Sequence, residues 1–487
     1  MRSSKPRRAA ILVPVAVACC LGTAFANDGK QATVARVEAG ADTYWQTALD
    51  IWGWAEPGYQ ETRSSERLQS LLRAGGFEVV AGVAGIPTAF MATYGSGQPV
   101  IGILAEFDAL PGLSQKPVPH QEARDETTWG HACGHHLFGT ASTAAALAIA
   151  EDIRDGRLRG TVRLYGTPAE EGGGAKVFMV RENLFSDVDA VLHWHPGDAN
   201  SAGDPTSQAR VAAKFRFHGR NAHAASAPEA GRSALDAVNV TNYAAEMMRE
   251  HTPDLSRIHY VITAGGDAPN VVPGFAEVYY YVRHPDAAVA RSLYERLLKC
   301  AQAGALATET ELEVDYLGGV YNVLPNDALS QVTLRNLREL SELTYTPEES
   351  AYAETLQATL TTPQPLANVG KVFDRTGAVS KGSTDVGDVS WVVPTTGLRA
   401  ATWVPGTPAH SWQASGTGAT TIARKGMMLA AKTLAATAWD LFTSPEVLAR
   451  ARRELEERTG RNPYAAMLED GQPPPLTYRN PPSAGSH

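Results

Sequence analysis

Apolar residues recur at helical spacing over residues 43–73, and Gly75 and Gly76 close that run. Short strands are predicted between residues 77 and 94. Residues 99–107 read as a buried strand, which Asp108-Ala109-Leu110-Pro111-Gly112 ends in a loop. A polar connection then extends to Thr128. Residues 141–153 predict a helix of small residues, and residues 161–165 and 188–192 predict strands. Alternation of strand and helix predicts a mostly parallel sheet covered by helices on both faces.

The pattern changes near Gln208. Residues 211–217 alternate as a strand, 233–251 form a helix, 258–263 and 277–282 form strands, 285–307 form a helix and 311–316 a last strand. Strand, helix, strand, strand, helix, strand is the order of a ferredoxin-like α+β unit, here inserted in the α/β part. After Pro325 the α/β pattern returns with helices at 327–343 and 420–441 and a strand near Thr402. Residues 471–487 are rich in Pro, Ser and Gly and predict no regular structure.

The length of 487 residues exceeds what one growing core accommodates and supports this division. Residues 27–207 and 324–445 are read as two parts of one catalytic domain, 208–323 as the insert, and 446–487 as a terminal helix and tail. Residues 1–26 combine Arg2, Lys5, Arg7 and Arg8, an apolar run at 9–21 and Ala24-Phe25-Ala26. That is the pattern of a secretory signal peptide cleaved after Ala26, so a secreted or periplasmic location is expected. Lipoprotein anchoring at Cys19 or Cys20 is the less favoured reading.

Hydrophobic residues make up 44% and charged residues 20%, which is ordinary for a folded chain. The net charge is −9, and four cations but no acid lie in the first segment, so the remainder is more acidic still. With no basic block and no later apolar run of membrane-spanning length, neither a nucleic-acid partner nor a membrane span is expected. Beyond residue 26 only Cys133 and Cys300 remain, too few for a disulfide framework. Cys300 lies in an amphipathic helix and reads as a core thiol. Cys133 lies in Gly130-His131-Ala132-Cys133-Gly134-His135-His136.

Cys133 and His135, the pair Glu170-Glu171, His193 and His195, and His410 all stand near strand ends or in loops. In an open α/β sheet, sites assemble at such places. Thiolate, imidazole and carboxylate together are donors for a borderline-soft divalent ion, and their spread over several loops suits a catalytic site. Of two adjacent carboxylates at a metal, one can bind while the other takes a proton from water. No G-x-S-x-G elbow is present, so a serine hydrolase is a poor competitor.

These residues resemble the co-catalytic zinc peptidases of the aminoacylase and carboxypeptidase G type, in the amidohydrolase branch of aminobenzoyl-glutamate, hippurate and indole-acetyl-amino-acid hydrolases. The resemblance rests on Ala105-Glu106-Phe107-Asp108-Ala109-Leu110-Pro111, residues 130–136, Pro168-Ala169-Glu170-Glu171, His195-Pro196, Asn221-Ala222-His223-Ala224, Asn270-Val271-Val272-Pro273 and Ala409-His410-Ser411. His136 stands where much of that branch has Asp, and Leu137-Phe138-Gly139-Thr140 and residues 383–388 are more similar to the aminobenzoyl-glutamate group than to the hippurate group.

The resemblance implies a phosphorylase/hydrolase-like mixed sheet of the zinc exopeptidase type with a ferredoxin-like lid and dimerisation domain. It implies two divalent ions, Zn²⁺ or Mn²⁺, on Cys133, His135, Glu171, His195 and His410, with Glu170 as general base. His223 would stabilise the oxyanion, with a reach that extends to a partner subunit's site in a homodimer, and Asn270 and Arg283 would bind a substrate carboxylate. The implied reaction is hydrolysis of the amide joining an acyl or aryl-acyl group to an amino acid. A dipeptidase or carboxypeptidase of the same fold, or a non-catalytic binding homologue, are the alternatives.

Overall fold

The computed structural model describes residues 17–460 and 463–479, with side chains described from residue 28 onward. The expected signal segment therefore lies outside the described residues, except for the backbone of 17–26. Helix α1 (Val17–Ala39) is followed by α2 (Ala41–Trp54) and α3 (Thr62–Ala74). The pattern over 43–73 predicts one helix, and the structure makes two. Ala55 turns left-handed with φ 45°, and Pro57 has no N–H to continue the ladder. Glu56 then accepts the backbone N–H groups of Arg63 and Ser64, at 3.1 and 2.8 Å, and satisfies the start of α3.

Next come β1 (Glu78–Ala81), β2 (Phe90–Ser96), β3 (Val100–Ala105) and the short pair β4 (Leu110–Pro111) and β5 (Trp129–Gly130). Then follow α4 (His135–Arg154), β6 (Gly160–Gly166), α5 (Ala175–Arg181), β7 (Ala190–Gly197) and β8 (Asn200–Ala202). Every residue of β3 is buried, as expected of a strand covered on both faces.

A second sheet is built from β9 (Ala209–His218), α6 (Ala234–Arg249), β10 (Arg257–Ala264), β11 (Phe275–His284), α7 (Ala287–Thr308) and β12 (Glu311–Val320). Its order is β10-β11-β9-β12 with every pair antiparallel, the ferredoxin-like solution. Ser233 and Asp286 cap the two helices by accepting N–H groups of their first turns. Phe215, Phe217, Tyr280 and Leu297 lie in a core of its own.

The chain returns through α8 (Asp327–Leu340), α9 (Pro347–Gln357), β13 (Val372–Asp374), α10 (Val386–Ser390), β14 (Thr395–Ala401), α11 (Trp412–Thr417), α12 (Thr421–Thr443) and α13 (Pro445–Thr459). The main sheet has eight strands in the order β1-β2-β6-β3-β7-β14-β8-β13. Only its centre, β6-β3-β7-β14, is continuously parallel. β1 and β2 pair antiparallel at one edge, and β8 runs antiparallel to β14. The sheet is thus mixed rather than mostly parallel, because hairpins and short returns supply its edges. Among the described residues no helix is long and apolar enough to cross a membrane.

Residues 463–479 form no helix or strand, yet they are anchored. Met467 is buried against Ala209, Val211 and Tyr321, and its carbonyl accepts the Gly319 N–H at 2.8 Å. Tyr478 packs edge-on against Tyr59 with ring centroids 5.7 Å apart. The prolines predict an unstructured tail from residue 471. Tyr478 and Leu476 instead find apolar surface to cover.

Candidate metal centre

His135 opens α4 directly after Gly134, whose φ of 77° is the left-handed conformation that glycine adopts freely. A Cβ at Gly134 would also come within 2.7 Å of the Pro196 ring. This turn brings Cys133 and His135 beside His195. The Cys133 Sγ and His195 Nε2 lie 3.3 Å apart. His193 and His195 are expected just past a strand ending at residue 192, but both lie inside β7. Pairing with β14 extends the strand, with Gly397 opposite His193 and Arg399 opposite His195. A Cβ on Gly397 would overlap the His193 ring at 2.4 Å, so glycine there makes room for it.

Three donor groups each gather ligand atoms within 4.8 Å of one another: Cys133, His135 and His195; Cys133, Glu171 and His410; Glu106, His135 and Glu170. Cys133 belongs to two of them and His135 to two. The adjacent acids Glu170 and Glu171 fall in different groups. Glu171 Oε1 lies 3.0 Å from His410 Nε2, while Glu170 keeps company with Glu106 and His135. Ala169 and His410 both have left-handed backbones, φ 55° and 57°, a local strain of about 1 kcal/mol or more held at these loops.

The chemistry of these donors fits a divalent cation. His135 Nδ1 donates to Asp108 Oδ1 at 2.8 Å, and His195 Nδ1 donates to the Pro196 carbonyl at 2.7 Å. In each ring the other nitrogen is left with a lone pair, the arrangement that orients a metal-binding imidazole. His135 Nε2, Glu106 Oε2 and Glu171 Oε1 are buried without a hydrogen-bond partner. Glu106 Oε2 lies 3.2 Å from His135 Nε2 without the geometry of a hydrogen bond, so both atoms remain open to a cation.

Burial pushes the Cys133 thiol well above its usual value, and the Glu171 carboxylate adds to this. Burial would lower His135, but Cys133, Asp108 and Glu106 outweigh it and raise its proton affinity well above the usual imidazole range. Burial and then the carboxylates of Glu106 and Glu171 raise Glu170 well above the carboxylate range. All three shifts follow from gathering ionisable donors in a buried place.

Beneath them Lys176, with no exposed surface, bridges Glu106 at 2.7 Å and Asp385 at 2.6 Å. The sequence alone assigns no role to Glu106, Asp108, Lys176 or Asp385. Glu106 and Asp108 carry a signal, since two acids at the carboxyl end of a wholly apolar strand are costly to bury unless paired. Asp385 lies in the stretch 383–388 that carries part of the resemblance, whereas Lys176 carries no such signal. His136 turns away to the Gly418 carbonyl at 2.9 Å and is held neutral by burial, its pKa lowered to about 3.

The expected substrate residues are not brought to this cluster together. Asn270 is exposed near His223, where the Asn270 carbonyl accepts the Ala224 N–H. His223 is exposed too, and its Nδ1 accepts the N–H groups of Ala225 and Ser226, which places the ring proton on Nε2. Arg283 lies at the other end of β11, about 26 Å along the strand from Phe275 at ~3.3 Å per residue. Asn270 and Arg283 of one chain therefore cannot share one carboxylate. Arg283 Nη1 reaches Ser383 Oγ at 3.3 Å, two residues from Asp385. Trp194 is wholly buried in the core, its indole N–H bonded to the Phe138 carbonyl, and offers no surface to a substrate.

Residues 102–386 match the model of peptidase family M20/M25/M40. The chain is 40% identical to a subunit of the p-aminobenzoyl-glutamate hydrolase of Escherichia coli over 471 residues, covering 90% of this chain and 98% of that protein. It is 28% identical to the Xaa-Arg dipeptidase of Mus musculus, covering 88% and 92%. A dinuclear metal binding peptidase of the M20 family from Bacillus subtilis shares the fold, with a TM-score of 0.59, 18% identity, and 83% and 99% of the two chains covered.

Proposed function

Because the chain belongs to peptidase family M20/M25/M40 and is a metal-dependent hydrolase, we propose that it cleaves the amide bond between an acyl or aryl-acyl group and an amino acid with a free carboxylate. The observation that carries this reading is the divergence of Glu170 and Glu171 into separate donor groups around Cys133 and His135. One acid is left to move a proton while the other binds.

Cys133, His135, Glu171, His195 and His410 would hold two divalent ions, zinc or manganese, whose Lewis acidity a hydrolysis of this kind draws on. Asp108 fixes the His135 ring and also accepts the Glu171 N–H at 3.0 Å, so it aligns two donors at once. Glu170 accepts the proton of the attacking water and returns it to the leaving nitrogen, a task open to the acid that stands apart from the Glu171–His410 pair. The Nε2–H of His223 is a donor for the developing oxyanion. Since His223 and Asn270 stand at the far end of the insert, a homodimer would bring them to the site of the other subunit. The exposed apolar residues Tyr260, Ile262 and Phe275 on the insert sheet supply a surface for that dimer. The first 26 residues would direct the protein to secretion or the periplasm.

Replacing Glu170 by Ala is expected to preserve metal binding and lower turnover by about 10²–10⁴-fold. Unimpaired turnover would exclude Glu170 as the base. The substrate class is tested by hydrolysis of aminobenzoyl-glutamate, N-acyl amino acids and dipeptides after chelation and re-addition of zinc or manganese. Cleavage of free-amine dipeptides alone would favour a dipeptidase, the activity in the name of the murine relative.

A further inference from the structure

The connection between α2 and α3 reaches both loops that carry acids of the cluster. On one side the Glu56 carbonyl accepts the Ala109 N–H at 2.9 Å, next to Asp108, and Pro57 forms a parallel bridge with Ala109. On the other, the Tyr59 hydroxyl donates to the Gly173 carbonyl at 2.7 Å, and Glu61 Oε1 accepts the Ala169 N–H at 2.8 Å. The approach is close enough that a Cβ on Gly173 would come within 2.6 Å of both the Ala169 Cβ and the Tyr59 ring.

Glu61 has no exposed surface, and its second oxygen accepts the Thr88 hydroxyl at 2.9 Å. Among the described residues no Lys, Arg or His stands in an ion pair with it, so burying it is costly and only neutral donors offset that. One of those donors belongs to Ala169, whose φ of 55° is a left-handed conformation that an alanine keeps only where its surroundings enforce it. Glu170 and Glu171 follow directly. Asp108 accepts the Glu171 N–H at 3.0 Å, so buried carboxylates hold alternate N–H groups of Ala169-Glu170-Glu171. Within the loop the Ala169 carbonyl accepts the N–H groups of Gly173 and Gly174 at 2.9 Å each. The backbone that bears both acids is thereby fixed on either side of Glu170.

We propose that Glu61 is a positioning residue for the Glu170–Glu171 pair. By holding the Ala169 N–H it keeps the turn that sets Glu171 3.0 Å from His410 and leaves Glu170 beside Glu106 and His135. Without that acceptor the left-handed turn relaxes toward an ordinary backbone, and rotation at Ala169 swings both carboxylates, since each follows it in the chain. Tyr59 acts on the far limb of the same loop through Gly173. The placing of Glu171 stands on this geometry alone, whereas the effect on turnover, through Glu170, rests on the amidohydrolase reading.

The test is the visible spectrum of the full-length protein loaded with cobalt(II), whose bands follow the ligand geometry, alongside kcat and KM for aminobenzoyl-glutamate. Glu61→Ala is expected to shift the cobalt bands and to lower kcat by about 10–100-fold with KM changed less than about twofold, the scale of loss when a supporting hydrogen bond is removed. Glu61→Gln keeps an acceptor for the Ala169 N–H, and the Thr88 hydroxyl can turn to accept its amide, so it should restore the bands and most of kcat. Tyr59→Phe removes one hydrogen bond, and its kcat should fall about two- to tenfold. Because Tyr59→Phe leaves the core filled, it decides the matter if Glu61→Ala does not fold. Unchanged bands and kcat in the folded variants, or a loss no larger than the loss of folded protein by circular dichroism, overturns the proposal. If the bands move in the variants but the unaltered protein hydrolyses no N-acyl amino acid, the positioning role stands and the amidohydrolase reading fails.

Discussion

At the scale of single residues, Asp108 has the largest consequence for its size. One oxygen orients His135 and the other holds the Glu171 N–H, so both donor loops depend on it. Asp108→Ala should weaken metal binding by about 10–100-fold, as loss of an orienting partner does, while the fold persists. Metal titration with an indicator dye against far-UV circular dichroism checks this, and unchanged affinity would remove Asp108 from that role. Asp204 shows a different single-residue effect. It has a left-handed φ of 46°, accepts the Gly397 N–H with one oxygen and leaves the other buried and unpartnered. Burial raises its pKa from 3.8 to about 7. The folded state therefore keeps a proton that the unfolded chain releases, and stability declines as pH rises from about 4 to about 7. Asn tolerates this backbone and carries no charge. Asp204→Asn should raise Tm more at pH 8 than at pH 5, and an equal change at both would refute the assignment.

At the scale of elements, α4 sets the site. Its start at Gly134 places His135 over the carboxyl end of β3, and a Cβ at Gly139 would press within 2.7 Å of the Glu106 carbonyl. Gly134→Ala adds both a strained φ and a clash with Pro196, so it should cost about 1–3 kcal/mol and displace Cys133 from His195. Denaturant titration measures the first effect, and metal affinity the second. The small-residue pattern predicts this helix only from residue 141. Its first turn carries His135 and His136, whose polarity hides the periodicity. Similarly, β7 extends through His193 and His195 because its pairing with β14 is a tertiary fact, absent from the local pattern.

For the whole molecule, the C-terminal segment ties three parts together. It meets β12 at Gly319, α5 through the bond from Arg181 to the Gln472 carbonyl, and the metal loop at Glu171. A chain ending after Thr459 should retain the two sheets, expose the Met467 site and lose activity, which circular dichroism and hydrolysis of an N-acyl amino acid would show together. Full activity in that variant would make the segment dispensable. The sequence by itself determined the division into an α/β part and an α+β insert, the order of the insert and the motifs bearing Cys133, His135, Glu170, Glu171, His195 and His410, because periodicity and donor chemistry are local properties. Tertiary structure alone decided that Lys176 and Asp385 lie beneath the donors, that Arg283 stands at the end of its strand remote from Asn270, and that Arg479 arrives beside the centre. Those outcomes depend on which distant backbones pack together, and no spacing along the chain encodes a distance across the fold.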